Sequence, residues 1–255
     1  MKEKRGISGS TVKIIAIISM LIDHIGAGIL GRYLAQAGIM EVTMESSTQW
    51  LAENGKLYLA YWVMRMIGRL GFPIFCFLLV EGFQHTHDVK KYAARLFAFC
   101  IISEVPFDLL LAGKPFDLGY QNVFFTLLIG LLTMCIFRYI EKQDWKKGVR
   151  IISYIAALAV GMVVAELLNT DYGAIGVLSI MILYMSRESK PRQIIAGCIT
   201  FLWEITAPLA FIPIGFYNGK RGLKMKYFFY IFYPAHLLII YLVVVALGMN
   251  GYSAV

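Results

Sequence analysis

The sequence predicts an all-α polytopic membrane protein, a single domain over residues 1–255 that folds as a helical bundle of about eight to nine membrane segments, some short or broken. Three observations carry this. Apolar stretches of roughly 20 residues, long enough to cross a hydrocarbon core, recur from end to end. Of 255 residues 59% are hydrophobic and 16% charged, with mean hydropathy +0.68. Lys and Arg gather in short clusters between apolar runs, as the positive-inside bias requires. The net charge of +8 therefore reads as membrane orientation, with no nucleic acid as partner. Cys76, Cys100, Cys135 and Cys198 lie singly in apolar stretches without Cys-x-x-Cys spacing, so neither a disulfide framework nor a metal site is indicated.

Residues 12–30 form the first span, interrupted only by Lys13, Asp23 and His24. The basic start could mimic a signal peptide, but the run is too long, holds two ionisable groups and lacks a clear small-x-small cleavage signal. Lys2, Lys4, Arg5 and Lys13 place the amino terminus in the cytoplasm, so His24 comes roughly 18 Å in, just past the midplane. Asp23 and His24 at such depth belong to a pathway or a reaction, or to a structural hydrogen bond between helices. Residues 38–56, with Glu41, Glu45, Trp50 and Glu53, are expected as an external loop with room for a short interfacial helix.

A second span over about 58–83 carries Arg65 and Arg69 on one face and should kink at Pro73. His85, His87 and Asp88 then lie in a loop, read as solvated and not metal-binding. In the third span, about 92–111, Glu104 and Asp108 share a face and are natural counter-ions for Arg65 and Arg69. Gln121 and Asn122 open the fourth span, which runs to Tyr139, and must find hydrogen bonds there. The fifth, about 151–168, ends at a tight external turn over 169–173, and a short sixth span follows over 174–185. Residues 193–217 fit best as two half-helices that turn back near 206–208, because one span would put Lys220, Arg221, Lys224 and Lys226 outside. The last span, about 227–247, carries Tyr233 and, roughly 15 Å from Lys226, His236.

Several motifs in this order resemble the TraX family, named for the F-pilin acetylation protein of conjugative plasmids. They are Ile22-Asp23-His24-Ile25-Gly26, Gly68-Arg69-Leu70-Gly71-Phe72-Pro73-Ile74-Phe75, Ser103-Glu104-Val105-Pro106-Phe107 and Gln121-Asn122-Val123-Phe124-Phe125-Thr126, then Asp171-Tyr172-Gly173, Tyr217-Asn218-Gly219-Lys220-Arg221-Gly222 and Tyr230-Ile231-Phe232-Tyr233-Pro234-Ala235-His236-Leu237. The resemblance implies a bacterial inner-membrane N-acetyltransferase, distantly akin to multi-span acyltransferases. It would take acetyl from cytoplasmic acetyl-CoA and pass it to an amine, either the amino terminus of a pilin-like peptide or a small amine, with no metal.

Transfer from a thioester to an amine needs a base, donors for the oxyanion and a grip on the CoA phosphates. His24 is the leading base, with His236 a second base or an oxyanion donor. Asp23, about 100° around the helix from His24, should pair with another helix, Arg69 being its leading partner. Asn218, Lys220, Arg221, Lys224 and Lys226 concentrate donors suited to phosphates, although the same loop serves equally as a topogenic signal. Arg65, Glu104, Gln121, Asn122 and Tyr233 complete the candidate polar pocket. Two other classes use the same polar residues: a small secondary transporter, against which no internal repeat is visible, and a non-catalytic assembly factor for surface fibres.

Overall fold

In a computed structural model the chain is helical, and no strand forms among the described residues, which are 6–224, 226–249 and 251. Lys2, Lys4 and Arg5 lie outside the described residues, as does the side chain of Lys226. Helix α1 (Gly9–Ile25) starts at Ser8, whose hydroxyl accepts from the Thr11 backbone N–H at 3.3 Å and caps the first turn. It runs through a π-helical turn (Gly26–Gly31) into α2 (Arg32–Gln36), making one apolar stretch of 28 residues. The wide turn begins two residues after His24, in a geometry that recurs at functional sites.

The next stretch differs from expectation twice. Helix α3 (Ser47–Gly68) begins well before residue 58, so much of the expected external loop is helix and only residues 37–46 link α2 to α3. The second span is interrupted earlier than expected. Residues 47–85 run as one 39-residue apolar stretch, but the regular α-helical pattern gives way to a turn at Arg69 and Leu70, both still in the right-handed region, and α4 (Gly71–His85) follows with Pro73 in its first turn, where a missing N–H costs nothing. Asp88 caps α5 (Val89–Leu111) by accepting from Lys91 N–H at 2.9 Å. Asn122 caps α6 (Val123–Glu141), its Oδ1 accepting from Phe124 N–H at 3.1 Å. Helices α7 (Lys147–Leu167) and α8 (Gly173–Met185) follow, joined by the expected tight turn.

The chain then turns back on itself. Helix α9 (Lys190–Thr200) gives way to an irregular turn, a 3₁₀ segment (Ala207–Ala210) and the short α10 (Phe211–Phe216). Lys190 at the start of α9 donates to the carbonyls of Gly215 in α10 and Tyr217 just after it, at 2.7 and 2.6 Å, so both ends of this excursion lie at one end of the bundle. Helix α11 (Lys226–Ala246) closes the fold.

Among the described residues, five helical stretches are long and apolar enough to cross a membrane, and α8 and the 207–216 segment are shorter apolar helices. Helix α5 packs lengthwise on α6 and α11 although it carries Lys90, Lys91, Arg95, Glu104 and Asp108. Lipid tails are as apolar as leucine, so such helices are held by close packing and polar pairs more than by water exclusion. Val12, Ala16, Ile74, Val80, Leu131 and Ile180 are fully buried at the centre. Helix α7 buries only Ala157, Gly161 and Ala165, a seam of small residues four apart that lets it lie against α6 and α8. Its remaining surface, with Ile152, Ile155 and Val160 exposed, suits lipid.

Candidate active site

Two histidines from opposite ends of the sequence meet in the bundle. His24 of α1 places Nδ1 2.7 Å from Nε2 of His236 on α11. Nδ1 of His236 lies 2.7 Å from the carbonyl oxygen of Phe232, one helical turn back. That carbonyl only accepts, which orders the protons in a neutral pair. Nδ1–H of His236 donates to Phe232, its Nε2 accepts Nδ1–H of His24, and the unshared pair is left on Nε2 of His24. Tyr233 stands edge-on to both rings, with centroids 6.0 and 5.7 Å away, and Phe232 stacks on His236 at 4.9 Å. Both histidines are thus positioned, and only His24 retains a free basic nitrogen.

His24 also faces a cavity of about 330 Å³ toward the end opposite the basic loops, with Asp23, Arg65, Arg69, Tyr120 and Asp171 in its wall. Arg65 donates to Asp23 Oδ2 at 2.6 Å, and Arg69 to Glu204 Oε1 at 2.6 Å. This corrects the expected partners. Arg65, still within α3, faces α1 and takes Asp23. Arg69, past the helix end, reaches the irregular turn after α9, and Glu204 rather than Asp23 or Glu104 receives it. Glu104 instead accepts from the Asn122 side-chain amide, and Asp108 accepts from the Asp117 backbone N–H at 2.8 Å. Neither serves either arginine. Asn122 also donates to the Cys100 carbonyl at 2.9 Å, and Gln121 to the Asp117 carbonyl at 3.3 Å, so both amides hold the α5–α6 connection.

Gly68 makes the Asp23 position possible. A Cβ at residue 68 would fall inside the Asp23 carboxylate. Gly68→Ala is therefore expected to displace Asp23 from Arg65 and cost about 1 to 3 kcal/mol, the usual range for overpacking. A melting temperature equal to wild type would contradict this packing.

A second cavity, of about 520 Å³, lies on the basic-loop side. The exposed residues His85, at the end of α4, and Gly219 and Arg221 belong to its wall, as do Lys13, Arg95 and Tyr217. Phe75, Leu79 and Phe124 line it deeper, and Met20 and Tyr233 belong to its inner end beside the histidines. Burial, together with the nearby Glu81 carboxylate, pushes the Tyr217 phenol up to about 12, so it remains a neutral donor.

The turn after α10 is strapped to the start of α1. Gly9 N–H donates to the Lys220 carbonyl at 2.8 Å, Ser10 N–H to that of Arg221 at 3.0 Å, and Asn218 N–H to that of Ile7 at 3.0 Å. The Asn218 side chain accepts from Lys220 N–H at 2.9 Å and donates to the Gly6 carbonyl at 3.2 Å. Its role is thus to shape the turn. Of the expected phosphate-binding group only Arg221 reaches the cavity wall, because the strap turns Lys220 and Lys224 outward, where both are exposed. Lys226 falls outside the described side chains. Sequence reasoning missed Lys13 and Arg95 as members of this wall. Lys13 was legible, since residues 13, 20 and 24 fall on one stripe of a helix with 3.6 residues per turn. Among the described residues no group of three or more His, Cys, Asp or Glu is placed to hold a metal ion.

Comparison with known proteins places this geometry in context. Residues 8–244 match the family described as TraX protein. A relative from Dichelobacter nodosus, named "Probable fimbrial assembly protein FimC, serogroup H1", is 28% identical over 260 residues, covering 90% of this chain and 93% of the relative. No solved structure matches the chain.

Proposed function

Because the chain belongs to the TraX family, we propose that it is a membrane-embedded acetyltransferase that moves acetyl from cytoplasmic acetyl-CoA to an amine on the other side of the bundle. The observation that carries this reading is that the hydrogen-bonded pair of His24 and His236 stands between two cavities of opposite character, one with a cationic mouth and one walled by paired charges. The basic loops favour a cytoplasmic amino terminus in the cell membrane, with the larger cavity opening to the same side. The family's link to pilin acetylation, and the fimbrial assembly named for the relative, favour the amino terminus of a pilin-like peptide as acceptor.

Lys13, Arg95 and Arg221 hold the phosphates of the donor by charge-assisted bonds. The apolar wall of Phe75, Leu79 and Phe124 takes the pantetheine arm, and the thioester comes to rest by Met20 and Tyr233, next to His24. The acceptor ammonium loses one proton to water. As the N–C bond forms and the C–S bond breaks, His24 Nε2 takes the second proton from nitrogen and returns it to sulfur. Arg65, lining the outer cavity with His24, offsets the charge gathering on the carbonyl oxygen. The products are an amide, a free thiol and one released proton.

Thermal stabilisation of the purified protein by acetyl-CoA, with ATP as control, tests the reading, because neither a transporter nor a fibre-assembly factor requires this ligand. Lys13→Gln and Arg221→Gln should each weaken acetyl-CoA binding by about 1.5 to 3 kcal/mol, roughly 10- to 150-fold, while single-turnover transfer at saturating donor stays close to wild type. Absence of any acetyl-CoA binding by the wild-type protein would refute the proposal.

A further inference from the structure

We propose that Asp171 is the docking point for the acceptor's ammonium group, so that the outer cavity selects a cationic primary amine before any chemistry occurs. This deepens the acetyltransferase reading and rests on it for the identity of the acceptor as an amine. Three carboxylates, Asp23, Glu204 and Asp171, gather with two guanidinium groups, Arg65 and Arg69, whose pairs with Asp23 and Glu204 are both at 2.6 Å. Asp171 is left with a tyrosine hydroxyl, Tyr120 donating to its Oδ1 at 2.6 Å, and among the described residues it forms no ion pair. A cluster with every group ionised thus lacks one positive charge, and the group short of a cation lines the same cavity as His24. A half-buried carboxylate without a cation keeps part of its desolvation cost, and an incoming ammonium removes that part.

The turn holds Asp171 rigidly, as a docking group requires. Its N–H donates to the Gln121 carbonyl at 2.8 Å, and its own carbonyl accepts from the Thr126 hydroxyl. The following residue, Tyr172, sits in the left-handed region at φ 68° and stacks face to face on Phe72, with ring centroids 3.6 Å apart. Neither contact is made by the Asp171 carboxylate, which leaves Oδ2 free to meet a ligand from the cavity. Burial pushes the Asp171 carboxyl up to about 6 even with Tyr120, Arg65 and Arg69 favouring its charge, the Asp23 and Glu204 carboxylates opposing it. Asp171 therefore becomes protonated as pH falls through about 6, so ammonium binding is present between that value and about 8, where the α-amino group itself loses its proton, and is lost as pH falls below about 6.

The test uses the full chain in lipid nanodiscs without acetyl-CoA, with trialanine amide as the free-amine probe and its N-acetyl derivative as the uncharged control. Wild-type protein should bind the free amine and not the control, with affinity falling below about pH 6. Asp171→Asn, nearly isosteric and still able to accept from Tyr120, should lose roughly 10-fold or more in affinity for the free amine, in the range of a lost charged hydrogen bond. Its acetyl-CoA affinity should be unchanged, and Asp171→Glu should restore part of the binding. Equal binding of the two peptides, no binding of either by wild type, or undiminished binding by Asp171→Asn would overturn the proposal. The readout requires no turnover. Ammonium docking that survives alongside an absence of acetyl-CoA binding would remove the acetyltransferase reading alone.

Discussion

His24→Ala is expected to lower acetyl transfer by about 10² to 10⁴, the usual contribution of a general base, with acetyl-CoA affinity close to wild type. The two effects separate because His24 lines the outer cavity whereas the cations lie in the wall of the inner one. His236→Ala should also reduce transfer, but by a different route. Without Nε2 of His236 to accept its Nδ1–H, the His24 ring is free to change tautomer and to rotate. His236→Gln, whose side-chain oxygen can accept that same hydrogen, should recover part of the rate, which no substitution at His24 should do. Single-turnover transfer measured beside acetyl-CoA binding distinguishes these roles. Wild-type turnover in His24→Ala with complete loss in His236→Ala would reverse the assignment, and wild-type turnover in both would remove the histidines from the chemistry.

Arg69→Ala is expected to destabilise the protein by about 3 kcal/mol, the lower end of the range for breaking a buried pair because the arginine side chain is 31% exposed. The loss comes from Glu204, whose side chain is only 6% exposed and whose second oxygen already lacks a partner. A neutral partner should relieve most of it. Arg69→Ala combined with Glu204→Gln should therefore be more stable than Arg69→Ala alone, a sign that a general loss of packing would not produce. Unfolding in detergent, followed by denaturant or heat for the two single variants and the double variant, gives the coupling directly. Additive effects would show that the contact carries no weight. Arg65→Ala probes a different pair, since Asp23 is its partner, and its effect should not be rescued by Glu204→Gln.

What the sequence determined by itself follows from one-dimensional rules. Apolar length and the placement of lysines and arginines suffice to identify a membrane helical bundle, because the cost of unpaired backbone in lipid leaves few alternatives. The same rules indicated that residues 193–217 turn back, which the carbonyls held by Lys190 bear out. They also singled out His24 and His236, since ionisable groups at that depth are rare. Pairing was not legible in this way. Arg69 and Glu204 lie 135 residues apart and His24 and His236 212 apart, and which acid meets which arginine depends on which distant segments pack beside α3 and the turn that follows it. Asn218 was misread for a related reason. An amide beside a cluster of cations resembles a phosphate ligand in sequence, yet the strand-like strap between residues 6–10 and 216–223 uses both of its ends. Helical periodicity constrains what one helix presents on each face, but which helix receives that face is a property of packing among distant segments. That packing alone decided that the two histidines touch, that a cavity lies on either side of them, and that Asp171 remains the carboxylate without a cation.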